Sequence, residues 1–198
     1  MTDYPLINTF KNTKKVKITR YIIILIVATI ISSLIDTHFT IEKTPIPNLE
    51  NSTDKIKPLI IIGILLLIAS IFKIGFTILS YFVFFYIVSK IFNQYTEKSY
   101  IFNAVLFLIT ISYSINAIIL IIQYIMGINN SDFYIGSLNI FDPGNTLLES
   151  LNIVLIIKTY LIFLISKHTI RLNNKKAFFI ILMYLFIIIG FQIFRYTL

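Results

Sequence analysis

The chain predicts an all-α fold, a polytopic membrane helix bundle with five transmembrane helices. Three observations lead there. Of its 198 residues 57% are hydrophobic and only 13% charged, with a mean hydropathy of +0.87, whereas soluble domains carry roughly 25% charged residues. The apolar residues gather in runs long enough to cross a bilayer, for which about 20 residues are needed. Cutting at those runs leaves 11 of the 17 Lys and Arg on one side. Because Lys and Arg favour cytoplasmic loops, this asymmetry predicts a cytoplasmic N-terminus and a C-terminus outside.

Residues 1–20 form a basic cytoplasmic segment containing Lys14, Lys15, Lys17 and Arg20, and residues 21–196 a single transmembrane domain. The first span is expected at about 21–35. It ends in Ile-Ser-Ser-Leu-Ile-Asp, without a clean small-x-small cleavage site, and reads as a retained signal anchor rather than a cleaved signal peptide. Residues 36–58 follow as a polar outer loop with Pro45, Pro47 and Pro58.

The second span, about 59–92, is too long for the bilayer. Its uninterrupted part, Leu59 to Ser89, would make a helix of about 46 Å against a hydrocarbon core of about 30 Å. Cutting it in two at Lys73 would turn the later basic loop outward, against the charge bias. One long helix is therefore expected, bent near Lys73 and Gly75, with Lys73 close to the outer headgroups.

The third span is expected at 101–126, the fourth at 147–166 and the fifth at 177–194. The outer connection at 127–145 has no Lys or Arg, and the inner one carries Lys167, Arg171, Lys175 and Lys176. Asp142-Pro143-Gly144-Asn145 is a turn sequence, and Thr146-x-x-Glu149 fits a capping box opening the fourth helix. The fifth span has few polar residues beyond Tyr184 and Gln192 and is expected to be the most lipid-exposed.

Polar side chains inside spans mark faces that look inward. Ser70, Lys73, Thr77 and Ser80 make one stripe at helical spacing, and Ser112, Asn116 and Gln123 with Tyr113 make another. The two stripes are expected to face each other or a shared interior, either as hydrogen-bonded glue or as a path for a polar solute. Lys158 lies deep in the fourth span, about 12 Å from Ser166. It reads either as a lysine snorkelling to the cytoplasmic headgroups or as a binding or gating residue. Lys158, Lys73, Asn116 and Gln123 are thus the candidate functional residues within the membrane. Lys14, Lys15, Lys17, Arg20, Lys167, Arg171, Lys175 and Lys176 are the expected lipid-headgroup contacts.

No catalytic, metal or cofactor signature occurs. The absence of Cys excludes disulfides, thiolate nucleophiles and thiolate metal sites, and no phosphate loop, zinc motif or nucleophile elbow is present. His38 near Asp36 reads as a solvated loop residue. The net charge of +8 sits in short segments flanking apolar runs, which points to anionic lipid rather than nucleic acid. The many Ile, Asn and Lys codons point to an AT-rich genome and hence to a bacterial cytoplasmic membrane.

This layout resembles the Yip1 domain family: a basic N-terminus, a longer first outer loop, a very long second helix and a basic loop before the last span. The clearest local similarity runs from Leu138 to Ala177, through Leu-Asn-Ile-Phe-Asp, Ile157-Lys158-Thr159 and the loop ending in Lys-Lys-Ala. The third span adds Ile-Ser-Tyr113-Ser-Ile-Asn116, departing from the family in carrying Asn116 near a position usually held by Pro. The resemblance implies a non-enzymatic integral membrane protein with no cofactor. Eukaryotic members act in vesicle trafficking with Rab GTPases and one another; some bacterial members accompany ABC exporters or peptide-resistance systems. A scaffold or accessory protein working with another membrane protein, or with itself, is therefore one expectation. A small solute or ion transporter or channel is the other.

Overall fold

The computed structural model describes residues 18–43, 52–128, 134–142 and 145–197. Four long helices are seen: α1 Ile18–Lys43, α2 Ser52–Ile91, α3 Lys98–Ile125 and α6 Asn174–Thr197. Between α3 and α6 lie two shorter ones, α4 Thr146–Ser150 and α5 Ile153–Leu164, and α5 runs on into a π-helical turn, Ile165–Thr169. No strand is present among the described residues. Each of the four long helices contains a stretch long and apolar enough to cross a membrane.

Several boundaries differ from the sequence reading. The first helix continues past 35 to Lys43, so Asp36 and His38 belong to a helix and not to a loop. The second starts at Ser52 rather than about 59, taking in Pro58, and runs as the expected single helix through Lys73 and Gly75 to Ile91, 40 residues in all. At about 60 Å it is twice the hydrocarbon thickness. The segment expected as a continuous fourth span is broken at Leu151-Asn152.

That break is built, not frayed. The Leu151 carbonyl accepts from the Leu138 amide at 3.1 Å, and the Ile153 amide donates to the Gly136 carbonyl at 2.8 Å. Backbone of the loop around residues 136–138 thus satisfies groups that a continuous helix would have paired internally. Three asparagines open the later helices by accepting backbone N–H bonds: Asn145 from Leu148 at 3.2 Å, Asn152 from Leu155 at 2.8 Å and Asn173 from Lys176 at 2.9 Å. The cap of α4 is therefore Asn145, one residue before the expected Thr146, and Glu149 is exposed on the helix surface.

Helix α3 forms the centre, packed on α1, α2 and α5. In its membrane-length stretch 44% of residues are buried, against 22% in α1 and α6 and 6% in α2. The second helix, not the fifth expected span, is therefore the most exposed. Ile101, Val105, Leu108 and Ile109 of α3 meet Phe85 of α2 and Leu161, Ile162 and Ile165 of the α5 segment in one apolar core. Ring contacts set directions. Tyr21 meets Phe107 and His38 meets Tyr124, so α1 runs parallel to α3. Phe82 meets Phe102, and Ser70 bonds Ser33, so α2 runs against both.

Candidate functional site

Polar groups converge where α2, α3, α5 and α6 meet, about midway along α3 and α6. The Tyr81 hydroxyl of α2 and the Tyr184 hydroxyl of α6 are hydrogen-bonded at 2.9 Å, and Tyr113 of α3 faces Thr77 of α2. Beside Tyr184 lies a cavity of about 260 Å³, lined by Asn116, Ser150, Asn152, Lys158 and Tyr184 with apolar side chains completing it. Among the described residues no carboxylate lies within ion-pair distance of Lys158.

The candidate residues therefore separate. Asn116 and Lys158 share the cavity wall; Lys73 lies outside it, exposed on α2. Gln123 is fully buried and accepts from the Ile135 amide at 3.4 Å, so it anchors the loop after α3 rather than lining the cavity. Asn116 is drawn partly into the same task, because the Tyr134 hydroxyl donates to its Oδ1 at 2.9 Å. The α2 stripe also divides: Ser70 pairs with Ser33 of α1 at 3.1 Å, Thr77 faces α3, and Ser80 bonds only its own helix, to the Phe76 carbonyl at 2.9 Å.

Tyr134 and Asn152 are not among the residues the sequence singles out, and Tyr184, read there only as a polar residue of the fifth span, joins the cavity wall. The loop around Tyr134 is tightly folded: its amide donates to Asn139 Oδ1 at 3.2 Å, and Ser137 Oγ donates to the same oxygen. A Cβ on Gly136 would lie 2.8 Å from the Tyr134 ring and 3.0 Å from Ile119, so this close approach needs glycine. Burial pushes the Tyr134 phenol up to about 12. Asn152 carried a legible signal, an N-capping residue type inside an apolar run, whereas Tyr134 reaches Asn116 over 18 residues, a separation no local pattern records.

At the opposite end the basic residues gather. Lys176 sits over the Phe92 ring at 5.1 Å, Lys98 and Lys90 over Tyr86 at 5.5 and 5.6 Å, and Lys167 over Phe163 at 5.7 Å. A shallow, open depression there is lined by Lys167, His168, Leu172, Asn173, Asn174 and Lys175. Arg171 beside it is exposed, as is Arg20 at the start of α1. Lys14, Lys15 and Lys17, like Pro45, Pro47, Pro143 and Gly144, lie outside the described residues. His38 packs edge-on against Tyr124 with ring centroids 5.2 Å apart. No cluster of three potential metal ligands occurs among the described residues.

No family model, curated protein or solved structure matches the chain.

Proposed function

We propose that the chain is a five-span integral protein of a bacterial cytoplasmic membrane, with its N-terminus inside and C-terminus outside, acting as a non-enzymatic scaffold or accessory protein. The observation that carries the role is α2. Its apolar stretch, Gly63–Ile91, is about 44 Å of helix in which only 6% of the residues of the membrane-length stretch are buried by its own bundle. Such a helix offers a surface along which a second membrane protein packs, an ABC exporter or peptide-resistance component among the candidates, or another copy of the chain. The resemblance of the sequence layout to the Yip1 domain family points the same way.

The five crossings are supported by helix direction. Relative to α3, α2 runs back, the α5 segment descends from the outer loop toward the basic end, and α6 returns from Lys176 beside Phe92 to Tyr184 beside Tyr81. The basic residues gathered at one end favour the cytoplasm for that end and suit it to anionic headgroups. Purification in mild detergent followed by mass spectrometry tests the role. A membrane-protein partner or a defined homo-oligomer is expected, and a strictly monomeric, partnerless protein overturns it.

A second reading, a small solute or ion transporter or channel, is favoured by the Lys158 cavity. It requires that Lys158→Met abolish solute flux in liposomes without unfolding the chain. The absence of flux with any ion or peptide offered removes it.

A further inference from the structure

We propose that the cavity between α3, the α4–α5 break and α6 is a binding site for an anionic oxygen group, a carboxylate or phosphate, held by Lys158. The argument is an inventory of donors and acceptors. Asn116 Oδ1 is taken by the Tyr134 hydroxyl at 2.9 Å, and Asn152 Oδ1 by the Leu155 amide at 2.8 Å. Both amide groups are thereby oriented, and what each has left is N–H. Asn116 keeps two such hydrogens; Asn152 keeps one, having given the other to the Glu149 carbonyl at 3.2 Å. Lys158 adds three ammonium hydrogens and no acceptor.

The lining side chains thus offer donors in surplus around the Lys158 amine, and no carboxylate among the described residues meets it. A cation would find repulsion and few lone pairs. An anion with several acceptor oxygens satisfies the N–H groups and neutralises Lys158, for which an unpaired position inside a span is costly. Ser150 and Asn152, at the α4–α5 break, place the approach on the outer-loop side. A headgroup phosphate and a free anion present the same chemistry there. The inference stands apart from the assembly role, since a partner on α2 neither requires nor forbids it.

The test is thermal unfolding of the full chain in detergent, followed by circular dichroism. Inorganic phosphate, and separately acetate, is titrated at fixed ionic strength against a bulky sulfonate. At one hundred times Kd a Tm rise of about 5–10 °C is expected for at least one of them. The rise is lost in Lys158→Met and kept in Lys158→Arg. Native mass spectrometry separates the sources: a phospholipid retained by the wild type and lost in Lys158→Met identifies the headgroup, with the phosphate effect then emerging only after delipidation. If Lys158→Met does not fold, Asn116→Asp, which sets a carboxylate against the anion, should abolish the same rise. No rise with either anion together with no retained lipid overturns the proposal, as does a rise of equal size in the Lys158→Met or Asn116→Asp variant.

Discussion

Arg171 follows the π turn with φ of +65°, a left-handed conformation that costs a residue with a Cβ about 1 kcal/mol. It is held there by the closure of the turn, in which the Leu172 amide donates to the Ser166 carbonyl at 3.0 Å. Arg171→Gly should therefore raise Tm by about 2–4 °C, and Arg171→Val should lower it, both read by circular dichroism in detergent. Tyr134 makes a second prediction at this scale. Its phenol ionises at about 12 in the folded chain and at about 10 when unfolded, so folding favours the neutral form. The resulting stability is present in full below pH 10 and is lost as pH rises from about 10 to about 12. Tyr134→Phe should flatten this part of the stability–pH curve. It should also lower stability at neutral pH by about 1 kcal/mol through the lost bond to Asn116. A curve with unchanged slope in the variant would assign the alkaline transition to another group.

Among the elements, the break between α4 and α5 depends on the outer loop, and Gly136 is where the two are fastened. Gly136→Ala forces the Tyr134 ring and the Ile119 side chain aside, so the Ile153-to-Gly136 and Tyr134-to-Asn116 bonds should weaken together. Faster hydrogen exchange at the Ile153 and Leu138 amides is the expected signature, with α1 and α3 unaffected; uniform destabilisation would mean that the loop is not a separate fastening. This also shows what the sequence made legible. The four long helices follow from unbroken apolar runs, because a backbone in hydrocarbon must pair its own N–H and C=O groups, and that constraint is local. The break does not follow from such a run. Its two freed backbone groups are met by residues more than a dozen positions earlier, and composition holds no record of that pairing. Helix ends were misplaced for a related reason. Polarity marks where a chain leaves the bilayer, whereas the observed ends are fixed by caps such as Asn173 and by the left-handed Gly127 after α3, with the Ile128 amide closing onto the Gln123 carbonyl at 3.1 Å. Of the candidate site, Lys158 and Asn116 were visible as polar residues in apolar runs; their shared cavity with Tyr184 required the third dimension.

For the whole molecule the decisive quantity is the number of crossings between Phe141 and Asn174. The α5 segment, 12 residues of α-helix followed by 5 of π-helix, spans only about 25 Å. It reaches from loop to basic turn because its outer end is carried by the folded loop instead of by more helix. If it crosses, these two positions lie on opposite sides of the membrane; if it only dips in and returns, they share one. The chain has no cysteine, so single cysteines at two exposed positions report directly. Phe141→Cys should react with a membrane-impermeant maleimide on spheroplasts, and Asn174→Cys only after permeabilisation. Reaction of both before permeabilisation would leave four crossings and a re-entrant α5. The reversed pattern would put the basic end outside, against the bias of Lys and Arg toward cytoplasmic loops.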